Sequence, residues 1–505
     1  MMQETLTYAK SVFDWLATFF VIAVGLAALT FIVFYVIDVT QTKHTVRRNF
    51  PVIGRFRYFF EHLGEFFRQY FFAGDREEMP FNRAQRSWVY RAAKGVDHTI
   101  AFGSSLNLKV PGTAIFVNCP YPTLEEDSVK PKPMIIGPYA RTPYEAKSIF
   151  NVSGMSYGAL SGPAVLALSK GSKMAGNWMN TGEGAISPYH LEGGCDIVFQ
   201  IGTAKYGIRD DEGNLDWDKL KEVGEIDQVR MVELKLSQGA KPGKGGILPG
   251  EKVTPDIAKV RGIPVGEDSI SPNRHPEVNS AADLLDMINR VRDVSGRPTG
   301  FKSVIGAYGW LDELFELIKE RGIETAPDFI TVDSGDGGTG AAPMSLMDNC
   351  GLTIRESLPL VVDKLVEHGL RDRIKVIASG KLINPAEVAW AMCVGADFVN
   401  SARGYMFALG CIQALQCNKN TCPTGITTHD KRLQRGLVPA DKAERVRKYT
   451  ETMLKEVGII AHSCGVDSPR GLKRFHCRIV QDDGRSIPLN ELYPDKEPRV
   501  GEQAA

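Results

Sequence analysis

The stretch ALGCIQALQCNKNTCPTGI, residues 408–426, places Cys411, Cys417 and Cys422 within a dozen positions, with a proline directly after the third. Thiolates this close in sequence can fold around one centre. The gaps of five and four residues differ from the two-residue spacing usual in a structural zinc ribbon, and zinc also needs a fourth ligand. The nearest histidine, His429, lies outside the run, and the next cysteine is Cys464. Three soft sulfur ligands suit an iron–sulfur cluster held at three corners. The competing reading is three buried, unlinked thiols, because free cysteine is among the most buried residue types.

Two glycine-rich turns, SGDGGTGAAP (334–343) and ASGK (378–381), follow apolar runs. Their chemistry is that of an anion site, in which backbone N–H groups and a helix N-terminus cradle phosphate. Gly335, Gly337, Gly338 and Gly340 would let the backbone approach such a ligand closely. GDGGTG also fits the dinucleotide pattern GxGxxG, but no acidic residue closes a second strand about twenty positions on. GAKPGKGG (239–246) fails the spacing of a phosphate-binding Walker loop.

Positioning these groups requires a scaffold. From about residue 146, apolar β-branched runs recur, each ending in a glycine-rich or polar turn: SIFNVSGMSYGA, NWMNTGEGA, VRMVELKLSQGAK, GFKSVIGAYG, DFITVDSGDGGTG, IKVIASGK and ADFVNSARG. Helical patterns such as SAADLLDMINRVRDV and LDELFELIKERG separate several of them. Alternating buried strands and amphipathic helices predict an α/β fold with a parallel sheet. Roughly seven such units fit a closed (β/α)8 TIM barrel better than an open sheet, and the strand ends then meet at the C-terminal mouth where barrel enzymes keep their active sites.

The remainder bounds the context. The 505 residues exceed the size of a single growing core. Sixty Lys and Arg balance sixty Asp and Glu, which argues against a nucleic-acid partner. An odd count of nine cysteines without regular pairing indicates a reducing compartment. The run WLATFFVIAVGLAALTFIVFYVI, residues 15–37, carries no charge and as a helix spans roughly 34 Å, enough for a bilayer core. It predicts a transmembrane helix, with a signal peptide and a buried core helix as rivals. Lys43, His44, Arg47, Arg48, Arg55 and Arg57 follow it, which places the N-terminus outside and the catalytic domain in the cytoplasm. Residues 55–75 read either as an interfacial helix or as a helix packed on the catalytic domain. The expected organisation is a tail (1–14), a transmembrane helix (15–37), a membrane-proximal segment (38–130), the barrel with its cysteine motif (131–430) and a helical, irregular extension (431–505), with small α/β segments flanking the barrel.

The blocks NVSGMSYGALS, NTGEGA, ELKLSQGAKPGKGGILPGEKV, SGDGGTGAAP and LGCIQALQCNKNTCPTGITT resemble, in order and spacing, the FMN-binding synthase domain of glutamate synthase over roughly residues 130–430. The resemblance implies FMN in the barrel and a 3Fe-4S cluster on Cys411, Cys417 and Cys422. It further implies reductive amination of 2-oxoglutarate to glutamate through 2-iminoglutarate, with hydride from reduced FMN. Gln238, Lys241, Arg261 and Glu183 match family positions around the 2-oxoglutarate site; Arg261 offers a planar fork and Lys241 a point charge for a dicarboxylate. Lys302, mid-strand in GFKSVIG, needs a nearby anion if buried, and reduced flavin would serve. Lys302 and Glu183 are thus the catalytic candidates. Met155, Ser156 and Gly158 are expected to line the flavin, with Gly335, Gly337, Gly338, Gly380 and Lys381 at its phosphate. Surface ion pairing is the alternative reading for the charged members.

Two departures stand within the resemblance. Ile247 occupies GGILPG where the family commonly has glutamine, and Asn418 follows Cys417 where histidine is common. A chain opening MMQETLTYAK before an apolar span is expected to carry no glutaminase, and nothing reads as an NADPH domain. Ammonia or an amine, and electrons from a ferredoxin-like donor or a reductase subunit, would therefore come from outside. The other expectations kept open are a flavin and iron–sulfur oxidoreductase acting on another substrate or a membrane quinone, and a scaffold subunit that only retains cofactors.

Overall fold

The uncharged N-terminal run lies inside one helix, α1 (Met2–Thr40), in a computed structural model that describes residues 2–498. From Thr5 to Thr40 this helix is long and apolar enough to cross a membrane, a description that a signal sequence also meets. Thr18 donates to Asp14 O at 2.7 Å and Thr30 to Leu26 O at 2.8 Å within the helix. A second long helix, α2 (Gly54–Phe71), follows. The chain divides into two units, the first ending at Arg83 and the second beginning at Ala84.

The second unit is built on a closed barrel of eight parallel strands. These are β1 (Phe150–Val152), β2 (Met179–Asn180), β3 (Ile197–Ile201), β4 (Val229–Lys235), β5 (Thr299–Val304), β6 (Phe329–Asp333), β7 (Lys375–Ser379) and β8 (Phe398–Ser401). Closure is by β8 against β1, with Val399 opposite Phe150 and Ser401 opposite Val152. The seven runs legible in the sequence account for seven of the strands; β3, all five residues of it buried, is the eighth.

Each strand leads to a helix: α3 (Gly162–Ala175), α4 (Pro188–Gly193), α5 (Trp217–Glu225), α6 (Ala281–Ser295), α7 (Gly309–Arg321), α8 (Ile354–Glu367), α9 (Pro385–Val394) and α10 (Pro439–Ser463). Their ends are written in the sequence. Ser161 caps α3 by accepting from Ala164 N–H, Pro163 occupies its first turn, and Gly176 ends it in the left-handed region. Asn384 and Pro385 open α9 in the same way. The last helix, α10, falls in the segment set apart as an extension, yet it packs against α3 and α9 and completes the helical ring. Ala114–Phe116, from the segment expected beside the membrane, pairs with Cys477–Val480 in a small antiparallel sheet.

A hairpin, Met134–Ile136 with Tyr144–Ala146, closes the N-terminal end of the barrel. Ile136, Tyr144 and Ala146 join Trp178, Val198, Met231, Phe329, Ile377 and Phe398 in one buried cluster. Since several of these lie where strands begin, the apolar filling is concentrated at that end. Polar side chains accumulate at the other.

Candidate active site

The barrel interior turns polar toward the strand ends. Glu233 on β4 is buried and accepts from Asn180 Nδ2 at 2.8 Å, Gln200 Nε2 at 2.7 Å and Thr331 Oγ1 at 2.6 Å. Above it, Lys302 Nζ on β5 lies 3.0 Å from Asp333 Oδ2 on β6, both side chains nearly enclosed. Burial works against the Lys302 charge, but Asp333 and Glu233 prevail and hold its pKa above the ordinary lysine value. The anion that a buried Lys302 requires is therefore supplied by the protein. Asp333 Oδ2 also accepts from Gly239 N–H at 2.9 Å, tying the β4 loop to the β6 end.

On one side of this pair the structure gathers Glu183, Lys241 and Arg261, as expected, and adds Lys235. Glu183 Oε1 lies 3.2 Å from Lys235 Nζ. Burial opposes ionisation of Glu183, yet Lys235, Lys241 and Arg261 together keep its carboxyl below the usual carboxylate range. Burial, reinforced by Lys235, pushes the Lys241 amine down to about 8. Arg261 donates to Tyr157 O at 2.9 Å and to Ser269 Oγ at 3.3 Å, and stacks 5.0 Å from the Tyr206 ring centre. Two edges of the expected fork are thus already engaged, while its buried Nε has no partner among the described residues.

The loop after β1 joins the same side. A Cβ on Gly182 would stand 2.5 Å from Ser156 N and 2.8 Å from the Met155 carbonyl carbon, and one on Gly158 would stand 3.0 Å from an Arg261 nitrogen. Gly182 and Gly158 have φ of 62° and 101°, so glycine is required there both for conformation and for space. Ile247 is exposed and follows Gly246, where a Cβ would come within 2.3 Å of Glu183 Oε1.

On the other side stand the glycine turns. Gly335 N–H donates to Leu352 O at 2.8 Å and Gly337 N–H to Ser334 O at 3.0 Å. A Cβ on Gly335, Gly338 or Gly380 would meet Gly351 O, Arg403 Nε or Ser334 Cβ respectively. Close approach at these glycines is therefore used first by the chain itself, and the N–H groups of Gly335 and Gly337 are engaged. Lys381, in the left-handed region at φ 53°, pairs with Asp336 at 2.8 Å. Gln238 donates to Thr339 Oγ1 at 2.9 Å, which ties it to the glycine turn. Arg403, which no motif singled out, donates to Thr339 O and also influences the Cys411 thiol. Ala185, Ala240 and Lys381 all have positive φ in strand-end loops, and such strain, of order 1–3 kcal/mol each, concentrates at functional sites.

Two cofactors are at issue. For a flavin, the mouth offers the Lys302–Asp333 pair, the cationic group around Glu183, and Asn400 Oδ1 on β8, buried with no partner among the described residues. These fit a polar ring system that brings its own donors. For a cluster, Cys411, Cys417 and Cys422 are free thiols that influence one another electrostatically. Gln413 N–H points to Cys411 Sγ at 3.4 Å, Thr424 Oγ1 is 3.3 Å from Cys422 Sγ, and buried Lys252 donates to Cys417 O at 3.1 Å. N–H groups and a cation around sulfur suit thiolate ligation. No group of three or more His, Cys, Asp or Glu is drawn together as metal ligands among the described residues.

A closed parallel barrel with charged residues from several strands meeting at its C-terminal mouth defines a barrel enzyme. The family profile described as a conserved region in glutamate synthase matches residues 117–467. The chain is 38% identical over 511 residues to the glutamate synthase large subunit-like protein YerD of Bacillus subtilis, covering 93% of this chain and 97% of that one. It is 32% identical over 330 residues to the archaeal-type glutamate synthase [NADPH] of Dehalococcoides mccartyi, covering 65% of this chain and 63% of that protein. The chain thus spans under two thirds of the archaeal-type relative. Among solved structures, mandelate oxidase with (S)-4-hydroxymandelic acid is 16% identical with a TM-score of 0.47, covering 78% of this chain and 98% of that one, too distant to carry a ligand across. The chain belongs to the glutamate synthase family, and is a glutamate synthase-like oxidoreductase.

Proposed function

We propose that the barrel carries out reductive amination of 2-oxoglutarate to glutamate, with ammonia or an amine and electrons supplied from outside the chain. The observation that carries this reading is the buried group of Glu183, Lys235, Lys241 and Arg261 at the barrel mouth: three cations around one carboxylate suit a dicarboxylate plus an amine nitrogen. Lys241, whose amine has no ion-pair or hydrogen-bond partner among the described residues, pairs with a substrate carboxylate, while Arg261 contributes charge from its place on Tyr157 O. Glu183, held ionised, accepts hydrogen bonds from the incoming nitrogen. Lys302 keeps its proton against Asp333 and orders the strand ends beneath the reacting atoms.

In this reading Met155, Ser156, Gly158, Lys302 and Asn400 would hold an FMN ring, and Gly338, Gly380 and Lys381 its phosphate, with Gly335 and Gly337 shaping the turn. Cys411, Cys417 and Cys422 would hold a 3Fe-4S cluster. Bound, the flavin supplies hydride transfer and the cluster one-electron delivery to it. The donor is a ferredoxin-like protein or a reductase subunit. α1 anchors the chain as a single span with its N-terminus outside and the barrel cytoplasmic.

A second reading, another substrate or a quinone, is favoured by the exposed Ile247, which follows the Gly246 that lies against Glu183, and by the apolar α1. The test is anaerobic reoxidation of the chemically reduced protein by 2-oxoglutarate with ammonia, methylamine or glutamine in turn. Oxidation is expected with ammonia or methylamine, and none with glutamine. If 2-oxoglutarate neither perturbs the flavin spectrum nor oxidises it with any of the three, the glutamate reading fails.

A further inference from the structure

Helix α2 presents an apolar face that no other described residue of its own unit covers. At 100° per residue, Phe56, Phe59, Phe60, Phe67, Tyr70 and Phe71 fall within one arc of about 120°, and all six side chains are exposed. Glu61 and Glu65 occupy the opposite arc, and Arg57 stands between the two. Phe67 and Phe71 stack at 5.2 Å, and Phe59 meets Phe60 edge-on at 5.4 Å, so each end of the face carries a contacting aromatic pair.

The corner between α1 and α2 is clamped. Asp38, in the last turn of α1, is fully buried and accepts from Arg55 Nε at 2.8 Å and Val52 N–H at 3.0 Å. The Arg55 guanidinium lies 4.0 Å from the centre of the Phe34 ring on α1, and Arg47 lies 4.9 Å from that of Tyr58 on α2. A Cβ on Gly54 would come within 2.8 Å of Val46 O, so the chain turns there at close quarters. From 38 to 60 the sequence holds Lys43, Arg47, Arg48, Arg55 and Arg57, and Asp38 is its one acid.

We propose that α2 is a docking surface for an anionic bilayer: its aromatic arc enters the headgroup–acyl boundary, and the basic corner meets lipid phosphates. A bilayer is the occupant that fits, because the face is aromatic, its flank is basic, and it continues directly from a helix of membrane-crossing length. The Asp38–Arg55 clamp neutralises the one acid at this corner and fixes the direction in which α2 leaves α1. The proposal draws on the reading of α1 as a span for its continuity, but contact by α2 is a separate event with its own readout.

The test places a photo-reactive benzoylphenylalanine in the full chain at Phe60 or Phe67, at Glu61 or Glu65, and at Phe20 of α1. The protein is reconstituted in phosphatidylcholine vesicles with and without phosphatidylglycerol. Lipid adducts are expected from Phe60 and Phe67, more strongly with phosphatidylglycerol, and only background from Glu61 and Glu65. In a Phe60→Ser/Phe67→Ser background, a probe at Phe56 should give roughly tenfold fewer adducts. Lipid adducts at Phe20 with protein adducts or none at Phe60 and Phe67 overturn the proposal and leave the span standing. Adducts at Phe60 and Phe67 without any at Phe20 support surface docking and remove the span. Equal labelling from both faces of α2, or labelling indifferent to phosphatidylglycerol, also overturns it.

Discussion

Lys302 and Asp333 come from adjacent strands and hold each other in an enclosed place, so neither can be removed alone without leaving a charge unpaired. Asp333→Asn should therefore destabilise the folded protein by about 3–5 kcal/mol, read as a lower denaturation midpoint at an unchanged slope. A change within error would mean that solvent or Glu233 already balances Lys302. Because the folded pKa of Lys302 is raised above 10.5, the stability it contributes is fully present below that value and is lost only as pH rises beyond it. Lys241 has the opposite sign. Its amine titrates at about 8 in the folded chain against 10.5 ordinarily, so below 8 the folded state carries a strained charge, relieved as pH rises from about 8 to 10.5. A dianion needs that charge. The dissociation constant for 2-oxoglutarate should rise above pH 8, approaching about tenfold per pH unit, and Lys241→Arg should flatten the rise because guanidinium stays protonated. A profile identical in the two proteins would remove Lys241 from the carboxylate site.

The strand-end loops differ in how much of them was legible. Glycine turns, helix caps and the triplet of cysteines announce themselves, because each answers a local demand of backbone or ligand chemistry. The partners that complete the site do not. Asp333 reads as the last residue of an apolar strand, and Glu233 and Lys235 as misplaced charges in VRMVELK. Their meaning appears only when β4, β5 and β6 lie side by side. β3 is not legible as a strand end, because DIVFQIG lacks the glycine-rich turn that marks its neighbours. The connection from β8 to α10 carries the cysteine loop, with Gln413, Leu415 and Asn420 at positive φ. Cys417→Ser is expected to abolish iron content and the iron–sulfur EPR signal while flavin stays bound, since the glycine turns are separate elements. Cys393→Ser and Cys464→Ser should change neither. Iron retained in full by Cys417→Ser would refute the ligand assignment.

The division of the chain at Arg83 separates the unit that holds the long apolar helix from the barrel unit with its own core. A chain beginning at Ala84 should keep the far-UV signature of the barrel and melt within a few degrees of the full chain, checked by circular dichroism. Loss of cooperative melting would mean that residues up to 83 contribute to the barrel's core. Composition anticipated the two regimes, since one long uncharged run stands against a remainder of alternating strands and helices. The placement of α10 was out of reach, because its partner surface on α3 lies almost three hundred positions earlier.

That separation sets a clock on biogenesis. α3 begins at Gly162 and its neighbour α10 at Pro439, so at synthesis rates of about 5–20 residues per second the first barrel helix waits roughly 15–55 s for the last. During that interval the side of α3 at Gly171, which lies against Val446 and Ala443 of α10, has no partner, although α4 already covers another side. The cysteine loop, residues 408–426, leaves the ribosome before the ring can close, so Cys411, Cys417 and Cys422 stay accessible until α10 docks.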